Sequence, residues 1–110
     1  DITFIEIEQL TSEMNNIENH NFVLESVIVK EDDGYYSLCL DVDVASQGDT
    51  VEEAKAMLIE AVELYLESSI DSSLPVLRKT PDDSNPLLID KDNVVEHFSL
   101  KLKLELTVDA

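Results

Sequence analysis

Asp41 and Asp43 stand two apart in Y-Y-S-L-C-L-D-V-D-V-A, a spacing that puts both carboxylates on one face of an extended strand. With Asp49, Glu52 or Glu60 they would form the carboxylate cluster that a two-metal nuclease needs to hold its ions. That pattern has little weight here, because Asp and Glu together number 25 in a chain of 110 residues and carboxylates fall near one another by chance. A strand face carrying Asp41 and Asp43 suits another purpose better. It would pair with Lys or Arg of a basic partner, where complementary charge raises association rate and specificity. Tyr35 precedes them on the same face, and tyrosine is enriched among the anchors of interfaces. His20 and His97 lie in a polar stretch and at a strand entry, with no ligand spacing to Cys39. Cys39 has no basic neighbour that would activate it and reads as a small strand residue. No Gly-rich phosphate loop, nucleophile elbow or Cys/His metal spacing occurs, so the residues point to no catalytic group, no metal and no cofactor.

Charge narrows the class of partner. Lys and Arg number 7 against those 25 acids, for a formal net charge of −18. Such a surface repels phosphate backbones, which argues against direct nucleic-acid binding and favours basic proteins. Lys101 and Lys103 form a small basic row that would pair with carboxylates on an adjacent strand or guard a sheet edge. Without an aromatic platform, they make no nucleic-acid site. One cysteine cannot form an intramolecular disulfide, no apolar run is long enough to span a membrane, and no signal-peptide pattern is visible. A cytoplasmic location is the expectation.

The elements that must position these residues are organised around G-D-T-V-E-E-A-K-A-M-L-I-E-A-V-E-L-Y-L-E-S-S, residues Gly48 to Ser69. Thr50 and Glu53 make a capping box, and Asp49, Glu52 and Glu53 sit where the helix dipole favours anions. Gly48 gives backbone freedom just before the cap. Val51, Ala54, Leu58, Ala61 and Tyr65, widened by Val62, form one apolar stripe. Met57, Ile59, Leu64 and Leu66 fall outside it, which predicts that Ile59 and Leu66 are covered by the end segments or by self-association. A homodimer or larger oligomer follows as an expectation.

Around the helix, Ile2–Leu10 reads as an edge strand and Thr11–Asn21 as a loop or short helical turn. Phe22–Lys30, apolar on both alternations, reads as a central strand, and Asp32-Asp33-Gly34 as a tight hairpin turn. Tyr35–Ala45 reads as one strand, with Tyr36, Leu38, Leu40, Val42 and Val44 forming the floor under the helix. Residues 70–93 carry all three prolines and read as a long irregular connection with a short extended piece at Leu87–Ile89. Phe98–Val108 alternates strictly and is a half-buried strand. The order β-β-β-α-β gives an α+β domain, an antiparallel sheet with one long helix on a face. The chain is one domain over residues 1–110, with an N-terminal strand extension over 1–20 and a C-terminal strand over 98–108.

Within this order, D-D-G-Y-Y, then S-Q-G-D-T-V-E-E-A, then E-A-V-E-L-Y-L-E resemble the HicB-like antitoxin family over Phe22 to Glu67, a little under half the chain. The resemblance implies a partial RNase H-like or dsRBD-like sandwich with no activity of its own, which binds and blocks a small basic HicA toxin, an mRNA interferase. Two departures stand out. The Pro- and Gly-containing loop that members have between the second hairpin strand and the helix is replaced by D-V-D-V-A-S. The appended DNA-binding module of many members is replaced by a strand, so operator binding is not expected. The sequence therefore predicts a non-enzymatic, HicB-like antitoxin-type protein that binds a basic toxin through Tyr35, Asp41 and Asp43. The alternative is an orphan structural or small-ligand-binding module of the same fold.

Overall fold

Alternating apolar residues and one capped amphipathic run determine most of the architecture, seen here in a computed structural model that describes residues 2–6, 16–71 and 76–108. Strands β1 (Ile2–Glu6), β2 (Asn16–Glu31), β3 (Gly34–Cys39) and β4 (Val44–Gly48) precede helix α1 (Val51–Asp71). A one-turn helix α2 (Pro86–Ile89) and strand β5 (Val94–Val108) follow. The sheet order is β1-β5-β2-β3-β4. Pairing is antiparallel throughout β5, β2, β3 and β4, with α1 on one face, which is the expected α+β architecture. β1 is an edge strand, as read, but runs parallel to β5.

Four boundaries differ from the sequence reading. Tyr35–Ala45 is two strands, β3 and β4, joined by a reversal over Leu40–Asp43. β2 begins at Asn16 within the stretch read as loop, because its backbone pairs with β5 from Asn16 opposite Val108 onward and this ladder overrides the polar composition. The rest of that stretch, 11–15, lies outside the described residues, as do 7–10 and 72–75. Leu87–Ile89 is helical rather than extended. Asn85 caps the turn by accepting the Leu87 N–H at 2.9 Å, and Pro86 occupies the first helical position that its missing N–H suits. β5 starts at Val94, four residues before the strict alternation.

The helix lies on the opposite side of β3 from the one expected. Leu58, Val62 and Leu66 pack with Leu24, Cys39, Val42, Leu100 and Leu102 in one buried cluster. Leu38 and Leu40 turn to the other face, where they join Val27 and Val29 under Leu87 and Val94. β2 is thus apolar on both sides because both faces of the sheet are covered there. The fully buried stripe of α1 is Ala54, Leu58, Val62 and Leu66, at steps of four, while Val51, Ala61 and Tyr65 flank it half-buried. Burying each large aliphatic chain contributes about 1.5–3 kcal/mol, so this stripe is the main attachment of the helix.

Polar contacts fix its ends. The Glu53 N–H donates to Thr50 Oγ1 at 3.0 Å, and Glu53 Oε1 accepts from the Asp49 N–H at 2.6 Å, so the return bond of the capping box reaches one residue further back than usual. Lys55 Nζ lies 2.7 Å from Glu96 Oε2 and 4.6 Å from the Phe98 ring centroid, tying the helix to β5. Near the other end, the Tyr65 hydroxyl donates to the Val76 carbonyl at 2.8 Å.

Candidate functional site: an acidic groove at the hairpin end

Asp32 and Asp33 are the two central residues of the β2–β3 hairpin, closed by the pair Glu31 and Gly34. Gly34 has φ +149°, and a Cβ there would fall 2.7 Å from the Gly48 carbonyl oxygen. Only glycine fits both conditions. Because the chain reverses at Leu40–Asp43, β4 runs back along β3 and sets Gly48 beside Tyr35. A Cβ on Gly48 would lie 2.5 Å from the Ala54 nitrogen, so its role is close approach to the first turn of α1 rather than an unusual backbone angle.

These two glycines bring the hairpin turn and the helix start together around a groove of about 870 Å³. Five carboxylate residues line it, Glu31, Asp32, Asp33, Asp49 and Glu53, with Tyr35, Met57 and the Ser46–Gly48 end of β4. Lys30 stands beside it, its ammonium 5.2 Å from the Tyr35 ring centroid and donating to the Glu31 carbonyl at 2.7 Å. Concentrated negative charge beside an aromatic ring and a thioether has the chemistry to attract cationic groups.

Of the residues predicted to bind a partner, Tyr35 lies in this groove, half-buried. Asp41 and Asp43 lie in the reversal at the other end of β3, so the structure does not bring the three together. The strand face assigned to the two aspartates does not exist. Asp41 Oδ2 accepts the Glu25 backbone N–H at 2.8 Å, and the Leu40 N–H donates to the Glu25 carbonyl at 2.7 Å. Asp43 adopts φ +55°, a left-handed conformation that Asp tolerates better than most residues, and its Oδ1 accepts the hydroxyl of buried Thr80 at 2.9 Å. Both carboxylates hold the turn. Leu66, predicted to be covered by the end segments or by self-association, is fully buried in one cluster with Leu100 and Leu102 of the C-terminal strand, and Ile59 packs half-buried against the same cluster. The large apolar residues of α1 that remain exposed are Met57 and Leu64.

Other groups resolve into structural roles. Cys39 is fully buried, and burial pushes its thiol up from its ordinary value. Lys101 and Lys103 stand on an interior strand, opposite Val23 and Asn21 of β2 and Ile2 and Phe4 of β1, so they guard no edge. His97 Nε2 lies 3.0 Å from Glu25 Oε1, and Ser99 donates to Glu25 Oε2 at 2.9 Å. His97 and Ser99 thus each contact one oxygen of the same carboxylate. Glu63 is raised from the usual carboxylate range by partial burial, then by Glu67 and Glu60 one helical turn to either side. Among the described residues no three His, Cys, Asp or Glu side chains are grouped to hold a metal ion, and no described helix is long and apolar enough to cross a membrane.

Sequence reading missed Asp32, Asp33, Asp49 and Glu53 as one site, having assigned them to a turn and a cap. The signal was present in the two-residue hairpin, but the juxtaposition depends on the reversal at Leu40–Asp43.

Fold and groove define a small acidic α+β domain with one long helix on a mixed five-stranded sheet. Its relatives carry that definition to a family. The chain is 40% identical to the UPF0150 protein ssr1765 of Synechocystis sp. over 68 residues, covering 61% of this chain and 82% of that protein. It is 36% identical to the UPF0150 protein ssl0738 of the same organism over 55 residues, covering 49% of this chain and 72% of that one. The chain belongs to the UPF0150 family. No family model and no solved structure matches it.

Proposed function

We propose that this protein is a non-enzymatic, HicB-like antitoxin-type domain that captures a small basic protein of the HicA-like mRNA-interferase kind and covers its active surface. The observation that carries the reading is the groove, which five acidic residues line together with Tyr35 and Met57 in a chain of net charge −18. Membership of the UPF0150 family, which is HicB-like in the wider sense, supports it. So does the order of D-D-G-Y-Y and the G-D-T helix entry, because both motifs contribute residues to the lining of the groove. Long-range attraction brings the partner in, and short carboxylate pairs with Lys or Arg then hold it. Tyr35 is the anchor. Asp41 and Asp43 contribute through the fold, not through contact.

The test is capture from native lysate with tagged wild-type protein and with the double variant Asp32→Asn, Asp33→Asn, washed at low and then moderate salt. The reading expects a small basic protein retained by the wild type, released as salt rises, and held more weakly by the variant. If nothing basic is retained at low salt, the reading fails and the fold serves as an orphan structural or ligand-binding module. A basic, toxin-sized reading frame beside the gene separates the two cheaply.

A further inference from the structure

β4 closes one side of the sheet, and its outer edge has a definite pattern of backbone groups. The two-residue turn makes Glu31 and Gly34 a hydrogen-bonded pair. Strict alternation then directs residues 34, 36 and 38 of β3 toward β2, and 35, 37 and 39 toward β4. The β4 partners of those last three are Gly48, Ser46 and Val44, which leaves the N–H and C=O groups of Ala45 and Gln47 pointing away from the sheet. Both residues are exposed, and among the described residues no backbone bond outside the strand ladder reaches either.

Exposed edges are ordinarily protected by Lys, Pro, a bulge or a covering segment. The edge V-A-S-Q-G has no charge and no proline, and its register with β3 is unbroken, in a chain that is 29% charged. It also runs directly into the groove, whose wall includes Ser46, Gln47 and Gly48. A strand laid along β4 therefore reaches, at its Gly48 end, the groove that Asp49, Glu53 and the Asp32-Asp33 turn line.

We propose that β4 is a docking edge for an extended, basic segment of a partner protein, added as a sixth strand whose Lys or Arg side chains enter the acidic groove. The inference rests on the basic-partner reading above and adds to it the mode of binding. Backbone pairing at Ala45 and Gln47 supplies affinity that tolerates sequence variation, and the groove supplies selection for positive charge. A second copy of this chain fits less well. Antiparallel pairing of two β4 strands about Ser46 would set Asp43 of one copy against Asp49 of the other, between two molecules of net charge −18.

The experiment uses the wild-type chain and a fluorescent peptide of about ten alternating lysine and threonine residues. A second peptide has the same sequence and charge but carries N-methyl groups on both strand edges. Binding is followed by anisotropy at low salt, with amide exchange at Ala45 and Gln47 read by NMR. The inference expects the plain peptide to bind and to slow exchange at both amides, and the methylated peptide to bind roughly tenfold more weakly. Ala45→Pro, which removes an outward N–H without taking a bond from β3, should reproduce that loss. If that variant does not fold, the two peptides still decide. Equal binding of both peptides overturns strand addition and leaves the basic-partner reading standing. Failure of both peptides to bind overturns strand addition, and the lysate capture then judges the wider reading separately. Slow exchange at Ala45 and Gln47 without peptide, together with a dimer by sedimentation, would assign the edge to a second copy and overturn the inference as well.

Discussion

The two ends of β3 carry the same kind of residue and use it in opposite ways. At the Cys39 end the chain reverses over L-D-V-D, without glycine or proline, so aspartate side chains must hold the turn: Asp41 takes the Glu25 N–H and Asp43 takes the Thr80 hydroxyl. At the Gly34 end the reversal is made by backbone, with Gly34 and Gly48 allowing close approach, and Asp32, Asp33 and Asp49 line an open groove beside Glu53, whose carboxylate accepts the Asp49 N–H. Where glycine solves the geometry, the acidic side chains of the turn stay exposed. Where it is missing, they are committed to the fold.

The largest expected effect tests the glycine half of that statement. Gly48→Ala should cost about 2–3 kcal/mol in denaturant unfolding, since its Cβ meets helix backbone that cannot move aside. A neutral result would show that the helix start is not seated on the strand end. Next comes Asp41→Ala, expected to lose about 2 kcal/mol by leaving the Glu25 N–H without its acceptor, while Asp41→Asn, whose amide oxygen still accepts, should keep most of the stability. Equal losses would mean that charge, not hydrogen bonding, matters at this turn. The groove end should behave differently: Asp32→Asn with Asp33→Asn should change stability by less than about 0.5 kcal/mol while weakening retention of the proposed basic partner. A fold defect as large as that of Asp41→Ala would erase the contrast.

The smallest effect concerns the acidic row on α1. Glu63 has a folded-state pKa raised by burial and by Glu67 and Glu60, so the folded form binds the proton more tightly than the unfolded form. The stability that this gives is present below the ordinary carboxylate pKa and is lost as pH rises through the raised value. Glu63→Gln should therefore melt higher than wild type at neutral pH, and the gap should close as pH falls below the usual carboxylate range. A gap independent of pH would assign the change to packing.

Much of this fold is legible in the residues. The Thr50/Glu53 box, the Asp32-Asp33-Gly34 hairpin and the alternation of β5 each encode a local geometry that the chain adopts. The reversal at Leu40–Asp43 is not encoded that way. Leu40, Val42 and Val44 keep the two-residue period straight through it, and the contacts that bend the chain come from Glu25 and from Arg78 and Thr80, distant in sequence. One misplaced turn had two consequences. It put α1 over the wrong side of β3, and it sent the helix start to the far end from the hairpin, which hid the groove. Asn16–Asn21 was equally unreadable as strand, because its pairing with 103–108 is a tertiary fact.

That last pairing bears on how the molecule is made. β2 ends at Glu31 and its long partner begins at Val94, and β1 bonds to β5 rather than to the strand that follows it. On the ribosome, β1 and one whole side of β2 therefore wait without partners while every other strand and the helix are synthesised. Contacts this distant in sequence make for slow folding. While it waits, β2 is the longer exposed segment, and its Phe22–Val29 stretch carries apolar side chains on both alternations.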